Sequence, residues 1–242
     1  MPTILKILIL FSLAAFISCK SPKNDKSPLI AKDLTNENEK NNTLFVFVGE
    51  KLDFTTLPHE ENSIDNGYKA KYKILQRVYG LYTGDTIEFV AYSHRGIPGF
   101  SNYKNSMLFV SEYEGKYYQE KYQYFDVYQT KDNRWASSYS LEEYGYPYMK
   151  KRNVNPEKID FMYPVGYPVK TKYGNGQLDI FRYPSPYYKT IGDTAYAVYG
   201  NYVEELFKLK KEGVLTARGL FGNMKFKTPE VKLQEVKPKT ER

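Results

Sequence analysis

From residue 43 onward the chain is patterned for strands. Leu44, Val46, Val48, Leu52 and Phe54 recur at even positions, which predicts an extended segment with one apolar face and Gly49 as a bulge or close approach within it. Tyr68, Ala70, Tyr72, Ile74 and Val78 then alternate with Lys69, Lys71, Lys73 and Arg77, so that a second strand has one core face and one basic face. A Gly-rich turn at 80–85 leads to a third strand over 86–93, with Ile87, Phe89 and Ala91 inward and Glu88 opposite a lysine of the second. A loop with Gly96, Pro98 and Gly99 precedes strands at 107–112 and 116–130, and Asp132-Asn133 forms a turn before Trp135. No stretch of this half carries a helical period. Closing the five strands into a small barrel is the economical way to hide their edges.

After Trp135 the composition shifts to Tyr, Pro and Gly, as in Tyr144-Gly-Tyr-Pro-Tyr148 and Tyr183-Pro-Ser-Pro-Tyr-Tyr188. Such segments favour extended or turn backbone and dock by aromatic contact. Asp193 has the chemistry of an N-cap, and Tyr196, Tyr199, Val203, Leu206 and Phe207 share a face of the helix it would open, near 194–212. The fold class is therefore mainly β: a five-stranded barrel over 43–135 and a Tyr/Pro-rich C-terminal extension over 136–227 containing one α-helix. The extension is either a second domain or an elaboration wrapped on the barrel. A frayed tail follows at 228–242.

Composition narrows the chemistry. The 242 residues hold 35 Lys+Arg against 28 Asp+Glu, a net charge of +7, and 41% are hydrophobic, enough to bury a core. One Cys and two His exclude an intramolecular disulfide, a Cys-rich zinc site and a Cys-His pair in a folded domain. The chain has no G-x-S-x-G, no H-E-x-x-H and no phosphate-cradling Gly loop, and nothing in it calls for a cofactor.

The sole Cys sits in an instructive place. Lys6 and the apolar run 7–17 match the charged start and hydrophobic core of a secretory signal, too short to span a bilayer. Phe16-Ile17-Ser18-Cys19 then resembles a bacterial lipobox, of the kind followed by Lys in Bacteroidetes-type lipoproteins. The resemblance implies a signal peptide over 1–18, acylation of Cys19 (palmitate among the acyl chains) and membrane attachment through it. Residues 19–42, rich in Lys, Asn, Ser and Glu, read as a flexible tether. The absence of an acidic run after Cys19 favours the outer membrane of the cell envelope.

A second resemblance concerns the barrel. Val48-Gly49-Glu50 closing a first strand, Val78-Tyr79-Gly80 closing a second, the Gly84-Asp85-Thr86 turn and the Leu108–Val110 strand together resemble the netrin-like (NTR) module. That module is the OB-type barrel shared with tissue inhibitors of metalloproteinases, here without its disulfides. Those inhibitors chelate zinc through a free N-terminal Cys, an activity that does not carry over to an acylated, tethered Cys19.

Candidate ligand-binding residues follow from the faces. Lys69, Lys71, Lys73 and Arg77 lie on strand two, on the surface that OB-type barrels present to ligands; they suit a polyanion, although a solvated sheet face explains the row more simply. Tyr118, Tyr122, Tyr124 and Tyr128 share a predicted face of strand five with Glu120 and Asp126, a mix suited to sugar stacking, to a protein interface or to cover by the extension. Tyr92 and His94 close strand three. His94 is too far along that strand from Asp85 and Glu88 for a catalytic pair, and His59 with Glu60 or Glu61 lacks a third metal ligand. Glu142-Glu143 and Glu204-Glu205 do not define a glycosidase pair. The expectation is a non-catalytic, lipid-anchored envelope protein binding a protein or glycan. Alternatives are a carboxylate-dependent hydrolase of envelope polysaccharide or peptide, and polyanion or nucleic-acid binding through the basic face, the last disfavoured by export.

Overall fold

The computed structural model of the chain describes residues 43–59, 61, 63–145, 154–169 and 181–221. The signal segment 1–18, Cys19, the tether 19–42 and the tail 228–242 lie outside the described residues, as does Glu60. The protein is mainly β. Strands β1 (Leu44–Thr56), β2 (Asn66–Tyr79), β3 (Thr86–Ser93), β4 (Asn105–Tyr113) and β5 (Lys116–Asp126) close a barrel in the order β1-β2-β3-β5-β4. Neighbours run antiparallel except β3 and β5, which meet in parallel at Val90 and Tyr118. This topology is compatible with an OB-type barrel.

The period-2 pattern of β2 holds: Tyr68, Ala70, Tyr72 and Ile74 are buried in the barrel, and Glu88 of β3 pairs in register with Lys71. The face assigned to β1 needs correction. Phe45 and Phe47 fill the interior, while Leu44, Val46 and Val48 are buried on the opposite side, Leu52 is exposed, and Phe54 returns to the core. Register shifts at Val46/Phe47, Val48/Gly49 and Lys51/Asp53 switch the faces along the strand, because each extra residue turns all that follow. Gly49 is the close approach: a Cβ there would lie 2.7 Å from the Phe47 ring and 3.1 Å from Tyr72.

The second burial of β1 is supplied by the extension. Met107 and Phe109, alternating with the inward Leu108 and Val110 of β4, are also fully buried. The Phe109 ring meets Phe125 at 6.4 Å, and the ammonium of Lys210 lies 4.8 Å from the centre of that same ring. The C-terminal helix thus closes over the outer side of the barrel, and Tyr79 at the end of β2 stacks on its Phe207 at 4.8 Å.

The extension contributes two small sheets. One runs β6-β7-β12-β8, made of β6 (Tyr128–Gln129), β7 (Trp135–Ser138), β8 (Glu157–Lys158) and β12 (Tyr199–Tyr202). The other runs β10-β11-β9, made of β9 (Gly166–Pro168), β10 (Tyr188–Ile191) and β11 (Thr194–Ala197). A single helical turn, α1 (Leu141–Gly145), follows β7. The longer helix, α2 (Val203–Lys210), continues into a wider turn over Lys211–Leu215.

The helix predicted from Asp193 starts ten residues later. Ile191 pairs with Thr194 across a two-residue hairpin turn, in which Gly192 has φ +57°, so Asp193 is a turn residue and Tyr196 and Tyr199 lie on strands. Gly-Asp between β-branched residues is a hairpin signal that outweighs the cap chemistry of the Asp. Glu205 supplies the N-terminal bond instead, accepting the Tyr202 N–H at 3.3 Å.

Candidate functional site

Where the end of β5 meets the extension, a cleft of about 540 Å³ opens between β5, β7, α1, β9 and the segment around Tyr183 and Tyr188. Its volume lies within the ~300–1,000 Å³ usual for small-molecule sites. Tyr103, Tyr122, Tyr124, Tyr139, Tyr167, Tyr183 and Tyr188 line it, with Phe125, Ser137, Ser138, Ser140 and the carboxylates Asp126, Glu142 and Glu143. Phe181 and Arg182 are exposed at its edge.

Asp126 organises this wall. Its Oδ2 accepts the hydroxyls of Tyr128 at 2.9 Å and Tyr167 at 2.6 Å, which ties the last residue of β5 to β6 and β9. The Ser138 hydroxyl lies 2.9 Å from that of Tyr167, and the Tyr188 hydroxyl donates to the Tyr139 carbonyl. Tyr183 stacks on Tyr167 with centroids 5.5 Å apart and meets Tyr188 edge-on at 5.0 Å. Tyr103 and Tyr124 form the facing pair at 6.4 Å. Glu143 is paired with the buried ammonium of Lys210.

Burial, reinforced by the Asp126 charge, pushes the Tyr103 hydroxyl up to about 12, and burial is also the largest cause raising Tyr124, Tyr128, Tyr167 and Tyr188. These hydroxyls stay protonated at neutral pH, those of Tyr128, Tyr167 and Tyr188 donating within the wall itself. A folded-state pKa above the unfolded value of 10.0 contributes stability that is present below pH 10 and lost as pH rises through the folded value. Ultraviolet titration should therefore show a cooperative late group of tyrosines ionising together with loss of near-ultraviolet dichroism. A single non-cooperative class with structure intact would contradict the buried network.

The candidates read from the sequence are scattered by the fold. Lys69 and Lys71 both pair with Glu88, at 2.7 and 3.3 Å, and Arg77 donates to the carbonyls of Tyr82, Thr83 and Gly84. Lys73 is exposed on the same strand and in register with Glu50. The basic row is thus interleaved with acids and bolts a loop in place. Lys69 is held above its ordinary value, and Glu88 below its own, first by their mutual hydrogen bond.

The tyrosines of β5 do not share one face. Between Leu108↔Tyr124 and Val110↔Gln119 the strand carries an irregularity in which Tyr122 takes φ +66°, and the register turns over. Tyr118 stacks on Tyr92 outside the barrel at 6.4 Å, whereas Tyr124 joins Tyr117 against the barrel core. Tyr122 points its hydroxyl to His94, 2.9 Å from Nδ1. The same Nδ1 lies 3.4 Å from Asp65, whose carboxylate receives Lys121 at 2.6 and 2.7 Å. The Lys121 hydrogen bond is the main cause holding Asp65 below its ordinary value. Because Tyr122 and Asp65 address one ring nitrogen, they do not form a relay through the imidazole. His59 lies 3.2 Å from the Asn66 amide oxygen.

Of the residues grouped on strand five, Tyr122, Tyr124 and Asp126 reach the cleft, and Glu142 and Glu143, weighed only as a glycosidase pair, lie there too. The sequence does not single out Tyr103, Tyr167, Tyr183 and Ser138 as site residues, the extension's alternation being too short to assign faces. The one available signal was the density of Tyr beside Pro. Among the described residues no three His, Cys, Asp or Glu side chains are grouped to hold a metal ion, and no helix is long and apolar enough to cross a membrane. No protein family matches the chain, and neither a curated protein nor a solved structure matches it.

Proposed function

We propose that the protein is a lipid-anchored protein of the bacterial cell envelope that binds a glycan in the tyrosine-lined cleft, without cleaving it. One observation carries the reading: a concave site walled by tyrosine rings for stacking on sugar faces, with serine and tyrosine hydroxyls and carboxylates to take up sugar hydroxyls. A cleft of this kind favours a glycan chain over a flat protein face. The closed strand order is compatible with an OB-type barrel; in this reading the barrel supports the cleft rather than binding through strand two, and the ligand is held where the extension joins it. Hydrolysis of a polysaccharide would need a working acid–base pair of carboxyls; Glu143 is engaged by Lys210 and Asp126 Oδ2 by two tyrosine hydroxyls, which leaves only Asp126 Oδ1 and the exposed Glu142 for such a pair and disfavours that reading. Polyanion binding through strand two is disfavoured by the pairing of Lys69 and Lys71 with Glu88.

The anchor and the binding are separately testable. In a bacterium with the lipoprotein pathway, the intact chain should show a lipid-sized mass increment and membrane retention, both lost in Cys19→Ala. An unmodified chain in the soluble periplasm would remove the anchor. For the cleft, a glycan array should return ligands whose binding is weakened in Tyr124→Ala and Tyr183→Ala, by roughly fivefold each for stacking contributions of ~1 kcal/mol per ring. Binding unchanged in both variants would place the ligand elsewhere.

A further inference from the structure

The chain as a whole is cationic, at +7, yet among the described residues the cleft is not. Its described lining holds Asp126, Glu142 and Glu143 against Arg182, and Glu143 is paired with Lys210. Two carboxylates remain. The Oδ1 of Asp126 receives no hydrogen bond from any described residue, since both tyrosine donors converge on Oδ2. Glu142 is exposed on α1, with no ion pair to a described residue. Both carboxylates raise the Tyr124 hydroxyl after burial has done so, with Arg182 opposing them, so the two carboxylates and one cation act on the same ring.

The rings of Tyr103, Tyr124, Tyr167 and Tyr183 line the same cleft, Tyr183 stacked on Tyr167 and Tyr103 tilted against Tyr124. An aromatic face carries partial negative charge and attracts an ammonium, most strongly where water is partly excluded. A concave wall of one sign also concentrates its field. Neutral sugars would gain nothing from this potential, and carboxylated or sulfated sugars would be repelled by it.

We infer that the cleft selects a glycan bearing a free amine, its ammonium held by Asp126 and Glu142 against the tyrosine rings. The inference rests on the cleft being the glycan site. It differs from that reading in demanding a positive charge on the ligand.

Calorimetry on the full chain in detergent tests it, using a β-1,4-linked glucosamine tetrasaccharide and its fully N-acetylated counterpart of equal length. The amine form should bind roughly 10-fold tighter, as expected for a desolvated cation–π and carboxylate contact. Glu142→Gln should reduce that preference several-fold without shifting the unfolding midpoint, because the residue is exposed. Equal affinity for the two tetrasaccharides, or binding of neutral glycans alone, overturns the amine selectivity and leaves the glycan reading standing. A preference for the amine form that survives Glu142→Gln and Asp126→Asn also overturns it, since the charge would then be read elsewhere. Failure of both tetrasaccharides and of a panel of neutral and acidic glycans overturns the glycan reading itself.

Discussion

Phe100→Ala should lower the stability of the barrel by about 3–5 kcal/mol, the usual cost of removing a buried phenylalanine ring from a core that cannot collapse around the gap. Phe100 is a loop residue by sequence, on a short 3-10 turn, Gly99–Asn102, between β3 and β4, yet it is 0% exposed. Its ring enters the barrel and meets Phe54, Tyr72, Phe89 and Tyr124 at 5.9–6.2 Å. The turn is held in place from several sides. Ser101 Oγ donates to the Pro98 carbonyl at 2.8 Å, Lys51 donates to the Ser101 carbonyl at 2.6 Å, and Ser106 Oγ donates to the Phe100 carbonyl at 3.3 Å. Gly99 lies so close under Tyr124 that a Cβ would fall 2.1 Å from its hydroxyl. Ile97→Ala, three residues earlier at 65% exposure, should change stability by less than about 0.5 kcal/mol. Equal urea midpoints for the two variants would show that the ring is no plug.

Phe100 also marks where the sequence stops being readable. The barrel strands were legible because each is half-buried or fully buried over many residues, so their alternation survives as a pattern; β2 is the clearest case. Faces within a strand were legible only until a bulge intervened. In β1 and β5 local shifts exchange inside for outside; Gly49 announces one of those in β1, but Tyr122 at φ +66° in β5 looks like any strand tyrosine. In the extension the strands are two to four residues long, too short for a period. Tyr and Pro there suit core, rim and turn alike, so the cleft's far wall had no signature beyond composition. The capping chemistry of Asp193 was real but local, and the Gly192 turn beside it decided the backbone.

The Glu143–Lys210 pair should show the second large effect, and with an asymmetry that the ion pair alone does not explain. Lys210 is 3% exposed, with its ammonium on Glu143 and over the Phe125 ring. Removing the carboxylate in Glu143→Ala takes one partner from a buried cation and should cost up to about 3–5 kcal/mol. Lys210→Met keeps an unbranched stem against Phe125 and removes the charge. Its cost should be smaller than that of Glu143→Ala, about 1–2 kcal/mol, since the carboxylate left behind is 19% exposed at the cleft and can be hydrated, whereas Lys210 cannot. The double variant Glu143→Gln/Lys210→Met should then recover most of the loss seen in Glu143→Ala, because no charge is left to desolvate. Urea midpoints of the three variants decide the point. If Lys210→Met proves as damaging as Glu143→Ala, the pair contributes attraction well beyond its desolvation cost, and α1 is held to α2 by charge. If it is nearly silent, the hydrophobic cover of the barrel holds the helix, and Glu143 serves chiefly to neutralise a lysine that lies under the wall of the cleft.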